Sequence, residues 1–439
     1  MPASGDTGPV TDSTPRRLRS GAAGRPADAW LVLGLVAVTG NPVLSNPLVA
    51  PVLYVVLVVL ALALGSGATS RRFAHHFAWL AAGFGTVFVA QAQIFGLVSW
   101  PGSAHFLVKM LVGGWLIDRL GLRFIGRYFE ATYWLCASSL VCYAVLLALG
   151  PQAFPSLFDA ELTGSEDIKS IGFFTVHNTP EWWRNSSMLW EPGAFQGIIN
   201  LALFLMPARL LWQRRNRFKL LVLLLALIST FSTTGYLVLF LVALYKLGSE
   251  VMGRFVRLSG LAALTLAAGF TISEADFLGE KVVQQFIDAQ SYEGFMPDRF
   301  GAFLFDLQYI EKSPIFGNGL IEETRYADHP QLQGLTLGHG NGLSNFLASF
   351  GFAGLLIYLA GILRSGFGRP GSSIGPRITL ALVVAALSFG EQFLNTPLFL
   401  GLPFLMLAAV PRRAGRRRRR AVLQGPLAAK RGPVLARPA

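Results

Sequence analysis

Charge and cysteine are both scarce in this chain, and each shortage narrows the possibilities. Only 14% of the 439 residues are charged and 53% are hydrophobic, whereas a soluble domain carries roughly 25% charged residues. That balance places the chain in the membrane class before any motif is read. The only two cysteines, Cys136 and Cys142, share one apolar block and lie six apart, so on a helix they do not face each other. They read as packing residues, with neither a disulfide nor a metal site expected. No Asp-x-Asp-like acidic pair marks a metal–nucleotide donor site, and no signal peptide pattern is visible. Internal repeats are also lacking, which weakens a transporter reading, since many transporters show paired halves.

What is present is a series of apolar blocks, among them 48–65, 131–150, 218–231 and 237–247. Spans are predicted near 29–46, 48–65, 76–98, 103–117, 131–150, 193–211, 218–232, 235–247, 258–273, 342–363, 377–395 and 398–411. The basic residues follow this alternation. With the N-terminus in the cytoplasm, the inner segments hold most of them, including Arg71, Arg72, Arg119, Arg123, Arg127 and Arg214. The outer loops hold only Lys169, Arg184, Lys281, Arg299, Lys312 and Arg325. The positive-inside rule is met at every loop. The expected fold is therefore an all-α integral membrane protein of about twelve transmembrane helices. Residues 1–27 are expected to be a disordered cytoplasmic terminus, 28–411 the membrane domain, and 412–439 a basic cytoplasmic tail. The net charge of +13 does not by itself call for nucleic acid, because no aromatic or fold signature accompanies the Arg416–Arg420 run.

Two long outer loops, 151–192 and 274–341, hold most of the acids. The second carries two amphipathic patterns. One has Phe277, Val282, Val283, Phe286 and Ile287 on its apolar face; the other has Phe300, Phe303, Leu304, Leu307 and Ile310.

Three short motifs stand out, each with two readings. In Trp190-Glu191-Pro192-Gly193-Ala194-Phe195-Gln196, Pro192 starts a helix. Glu191 is then either a cap that complements the helix dipole or a general base or sugar ligand at the membrane surface. Arg299 opens a helix ahead of Lys312-Ser313-Pro314-Ile315-Phe316-Gly317-Asn318-Gly319. It is either a surface arginine paired with Asp298 or Asp306, or a bidentate ligand for a diphosphate. The Gly-Asn-Gly segment could offer backbone N–H groups to the same anion. His339, in His339-Gly340-Asn341-Gly342, is either a loop residue or a base. Lys109, Arg209 and Glu391 lie at membrane depth, where ionisable groups are functional candidates. Lys109 suggests a re-entrant or shortened segment, Arg209 snorkels inward, and Glu391 could face the outer cavity.

These motifs together resemble the O-antigen ligase/O-antigen polymerase family of membrane proteins. The resemblance rests on Arg299-Phe300-Gly301, on Ser313 to Gly319, and on His339-Gly340-Asn341 through Phe350-Gly351-Phe352-Ala353-Gly354. It covers roughly 185–365; elsewhere only the topology is similar. The Glu191-Pro192-Gly193-Ala194-Phe195 segment is similar to polymerase-like members for exopolysaccharide or capsule. One departure is that no arginine follows Ser232, where many members have a Ser-Arg pair; this argues against a plain ligase.

The resemblance implies a metal-independent glycosyltransferase without cofactor in the bacterial inner membrane, with both termini cytoplasmic. Its donor would be an undecaprenyl-diphosphate-linked glycan in the lipid bilayer. A chain-length regulator or other polysaccharide export proteins would be its partners. Arg299 would hold the diphosphate, with Arg184 and Arg325 behind it. His339 or Glu191 would be the base, and Lys312, Asn341 and Glu391 would contact substrate. The alternatives are an O-antigen ligase that transfers finished glycan to lipid A core or another acceptor, and a solute transporter or flippase.

The charge pattern makes a direct prediction. Reporters fused after residues 170 or 310 should be periplasmic, and those after 216 or 425 cytoplasmic. A cytoplasmic signal at 310 would overturn the whole scheme.

Overall fold

The computed structural model describes residues 26–65, 69–165, 168–177, 183–248, 299–329, 340–367 and 374–407. The expected span at 258–273, the amphipathic stretch at 277–287, His339 and both chain ends lie outside these residues. The described chain is mostly helical. In order it has α1 (Ala27–Gly40), α2 (Ala50–Ala63), α3 (Arg71–Phe95), α4 (Trp100–Leu120), α5 (Arg123–Leu149) and α6 (Ala160–Thr163). Strands β1 (Ile168–Ser170) and β2 (Thr175–His177) pair antiparallel, with Ile168 opposite His177. Then come α7 (Pro192–Leu205), α8 (Ala208–Leu211), α9 (Arg214–Ile228), α10 (Thr233–Leu247), α11 (Arg299–Lys312), α12 (Glu322–Arg325), α13 (Gly342–Arg364), α14 (Gly375–Gly390) and α15 (Pro397–Gly401).

Three helices, α3, α5 and α13, are long and apolar enough to cross a membrane, and α1, α2, α7, α10 and α14 are shorter apolar helices. Their outer faces carry bare apolar side chains: Val52, Val55, Val59 and Leu62 on α2, and Trp134, Val141 and Leu147 on α5. A surface of that kind fits lipid rather than water.

Helix α7 is the axis of the bundle. All fourteen of its residues are buried, and α5, α9, α10 and α14 pack around it. Its sequence is apolar but for Gln196 and Asn200, which bond to each other (2.9 Å), as suits a helix with no solvent face. Glycine lets its neighbours come close: Asn200 Nδ2 on α7 donates to the carbonyl of Gly235 on α10 (3.0 Å).

Several expected spans are altered, each for a local reason. Span 29–46 stops at Gly40, because Pro42 lacks an N–H and keeps Asn41 out of the helical region. Asn41 then ties the break to the loop between α5 and α7, donating to the carbonyls of Gly172 (2.7 Å) and Met188 (3.0 Å). Span 193–211 breaks at Pro207 into α7 and α8. The segment around Lys109 is no re-entrant loop but the continuous 21-residue α4. The span expected at 398–411 is not one continuous helix: residues 397–407 form the five-residue α15 and a 3-10 turn at Leu402–Phe404, between Leu398 N, which donates to Thr39 Oγ1 (3.1 Å), and Leu405 O, which accepts from Gly366 N (2.9 Å). Leu398, Phe399, Leu400, Leu402, Phe404 and Leu405 are all fully buried, with α15 packed on α4. An apolar run reads the same whether its surroundings are lipid or protein, and this one is surrounded by protein.

Helix α11 is also turned relative to expectation. Its buried face is Ala302, Phe305, Asp306, Tyr309 and Ile310, packed on α13, while Phe303, Leu304 and Leu307 are only half-buried. The polar Asp306 faces inward because Arg325 pairs with it and Ser344 Oγ donates to it (2.6 Å). The Arg325 guanidinium also lies over the rings of Tyr309 and Tyr326.

At the opposite end from the site described below, Arg123 bridges to Asp28 (2.6 Å), joining the starts of α5 and α1.

Removing one member of a buried ion pair strands the other, at a cost of about 3–5 kcal/mol. Arg325→Met should therefore lower the thermal unfolding midpoint of the purified protein sharply, and Asp306→Asn/Arg325→Met should recover part of it. An Arg325→Met midpoint equal to that of the wild type would show the pair contributes nothing.

Candidate functional site

Helix ends from distant parts of the chain meet at one end of the bundle. The Trp190 N–H donates to Gly40 O (2.8 Å), joining the end of α1 to the start of α7. Glu391 follows the last residue of α14 and lies against the same place. Arg299, the first residue of α11, reaches in from above. Its Nη2 contacts Glu391 Oε1 (3.2 Å) and its Nε donates to the Gly390 carbonyl (3.0 Å).

Glu391 is 3% exposed, and Arg299 is its salt-bridge partner. Trp190 Nε1 donates to the other oxygen, Oε2 (3.3 Å). The Glu191 carboxyl lies within hydrogen-bonding reach of Glu391. Glu191 occupies the N-cap position of α7, yet its side chain makes no cap hydrogen bond. The capping role is therefore not what holds it there; its carboxyl is turned toward Glu391.

Arg184 completes the cluster from the loop before α7. Its Nε donates to the Thr230 carbonyl (2.8 Å). Burial, and then the like charge of Arg299, lower its pKa, while Glu191 and Glu391 act the other way.

Gly193 explains the glycine of the Glu-Pro-Gly segment. A Cβ there would occupy the position of the Glu391 carboxylate and come within 3.0 Å of Arg299 Nη2. Only a residue without a side chain lets the ion pair sit on the first turn of α7.

Beside this cluster lies a cavity of about 470 Å³, within the usual size of ligand sites. Its walls include Thr39, Tyr54, Lys109, Glu191, Glu391 and Asn395.

The expected site residues divide into two groups. Glu191, Arg299, Glu391 and Arg184 come together. Asn341 sits at their edge, but its side chain is occupied. Its Oδ1 caps α13 by accepting from Leu343 N (3.2 Å) and Ser344 N (3.0 Å), and its Nδ2 lies 3.5 Å from Arg299 O. His339 is outside the described residues, although its neighbour Gly340 lines the cavity. Arg325 and Lys312 do not join. Arg325 is buried against Asp306. Lys312 pairs with Asp328 at the far end of α11, thirteen residues from Arg299, or about 20 Å along a helix.

The Gly-Asn-Gly segment has no free N–H groups for an anion. Gly317 N donates to Ser313 O (2.9 Å), Asn318 N to Ala348 O (2.8 Å) and Gly319 N to Ser349 O (3.0 Å). This segment is a clasp on α13, which kinks at Gly351 (φ 65°) where Gly317 (φ 70°) packs against its backbone. Ser232, where many family members continue with arginine, is the N-cap of α10, its Oγ accepting from Gly235 N (3.3 Å).

The sequence reading missed the cavity wall from Gln392 to Pro397. The polar run Glu391-Gln392 and Asn395-Thr396, between the apolar runs of the spans expected at 377–395 and 398–411, is the signal for it. No family model, curated protein or solved structure matches the chain.

Gly193→Ala should displace the Glu391 carboxylate. Overpacking of this sort costs about 1–3 kcal/mol, read as a lower unfolding midpoint in detergent. An unchanged midpoint would mean that the carboxylate does not rest on α7.

Proposed function

We propose that this chain is a membrane glycosyltransferase that polymerises undecaprenyl-diphosphate-linked oligosaccharide repeat units at the periplasmic face of the inner membrane. In this reading the chain spans the membrane about twelve times, with both termini cytoplasmic. The observation that carries the proposal is the cluster of Glu191, Glu391 and Arg299, with Arg184 in the field of both acids, beside a cavity that the two acids line. Two of these residues come from the motifs behind the family resemblance.

The chemistry asks little of the protein. An acceptor hydroxyl attacks the anomeric carbon of the donor, and the bond from that carbon to the diphosphate oxygen breaks. The diphosphate leaves with the electron pair and stays on its lipid. Arg299 and Arg184 neutralise it. That Glu191 lines the cavity and makes no cap hydrogen bond supports it as the group that takes the hydroxyl proton. His339 is the other candidate for that proton.

A flippase or transporter is the second reading. It is favoured by the break between α14 and α15, where only a 3-10 turn at Phe393–Asn395 forms beside the cavity wall, and by Lys109 within a helix.

Polymer formation from purified lipid-linked repeat units in proteoliposomes separates these readings. The proposal expects polymer from repeat units alone. A product that appears only when finished glycan meets lipid A core makes the chain a ligase. Transbilayer movement of the lipid without a new linkage makes it a flippase. In the same assay Arg299→Lys should lose most activity at matched membrane levels, because lysine keeps the charge but not the fork. Glu191→Gln should lose about 10²–10⁴-fold if Glu191 is the base.

A further inference from the structure

The cluster beside the cavity has three nearby cations, Arg184, Arg299 and Lys109, against two carboxylates, Glu191 and Glu391. Arg299 is committed to Glu391, and Arg184 is anchored on Thr230 while sharing the field of both acids. Lys109 differs from both. It is the tenth residue of the 21-residue α4, so it lies about 14 Å along that helix from its first residue. It lines the cavity and is partly buried. Among the described residues it has no ion-pair partner and no hydrogen bond, and the titratable group nearest it along α4 is His105, one turn earlier. His105 does not supply a counter-charge; its ring packs edge-on to Tyr54, centroids 6.0 Å apart. Glu191 and Glu391 line the same cavity as Lys109 but neither pairs with it, and an unpaired lysine midway along a helix of an apolar bundle is costly to keep. It stays charged at low cost only if a ligand brings the opposite charge.

We infer that Lys109 binds an oxyanion of the substrate, held deep in the cavity below the Glu191–Glu391–Arg299 cluster. The ligand chemistry is a phosphate or carboxylate oxygen, and Lys109 donates to it. This rests on the proposed transferase reading for the identity of the ligand, but the binding itself does not require catalysis. Two sources fit: the diphosphate of the lipid carrier, and the carboxylate of an acidic sugar in the repeat unit. Lys109 is thus a binding residue set apart from Arg299, on a helix that no family motif marks.

The test uses the full-length purified protein in nanodiscs and three probes: farnesyl diphosphate, farnesol and glucuronate. Binding is read by calorimetry for wild type, Lys109→Met and Lys109→Arg. Methionine keeps the apolar stem and removes the charge; arginine keeps the charge. A charge-assisted hydrogen bond is worth roughly ten- to a hundredfold in affinity. The expected result is that Lys109→Met weakens farnesyl diphosphate by that factor, leaves farnesol unchanged, and that Lys109→Arg retains most of the affinity. If only glucuronate is weakened, the oxyanion is the sugar's, and the inference still holds. If Lys109→Met binds both anions as wild type does, or if wild type binds neither anion, the inference is overturned. Unfolding midpoints of the variants identify a folding defect, and Lys109→Arg then decides: loss of anion binding in a folded Lys109→Arg protein also overturns it. If anion binding depends on Lys109 but no polymer forms from repeat units, the proposed activity fails and the binding site stands.

Discussion

The site depends on one contact: the Arg299–Glu391 ion pair seated on the first turn of α7, over Gly193. A carboxylate as buried as Glu391 is costly unless it is paired and hydrogen-bonded. Here the guanidinium meets one oxygen and Trp190 meets the other. The pair joins α14 to α11, and Gly193 joins both to the axial helix. Without glycine at that position the three elements would not meet closely enough for the charges to compensate.

Much of the remaining outer structure serves to aim Arg299. Helix α11 has Arg299 at its start, and its direction is set by the buried Asp306–Arg325 pair and by Ser344 on α13. Helix α13 is in turn bent at Gly351, where the Ser313–Gly319 clasp grips its backbone; Asn318 Nδ2 donates to Tyr309 O (2.8 Å) and Ala348 O (3.0 Å), closing α11 onto α13. The residues between the motifs are therefore a frame. Arg325 and the Gly-Asn-Gly segment belong to that frame, Arg299 reaches from it to Glu391, and Glu191 and Glu391 line the cavity beside them.

This division explains what was legible in the sequence. Apolar blocks marked most helices, and the charge alternation put the ends of α1 and α14 and the starts of α7 and α13 on one side, where they do meet. Glu191, Arg299 and Glu391 were legible because a charge at a membrane boundary is conspicuous. Arg325 was equally conspicuous yet is structural, since its partner Asp306 lay on a helix face that looked polar. The apolar face of α11 was assigned by counting hydrophobic residues, and a paired charge can be buried where an unpaired one cannot. The 398–411 run misled for a related reason: hydrophobicity reports avoidance of water, not whether lipid or protein takes its place.

The same ion pair couples ligand binding to the docking of α11. An anion that takes the Arg299 guanidinium competes with Glu391 for it. Glu391 then loses its salt-bridge partner while still facing Glu191. Two carboxyls that close cannot both remain charged without a cation between them. Either one takes up a proton, or α11 shifts and opens the site to water. The first outcome ties the binding of the anion to the protonation of the acids, and the second ties it to the docking of α11. By linkage, the protonation state must then influence anion binding by the same free energy. In the transferase proposed above, which would remove one proton and release one diphosphate per turn, that coupling would join the two events through a single guanidinium.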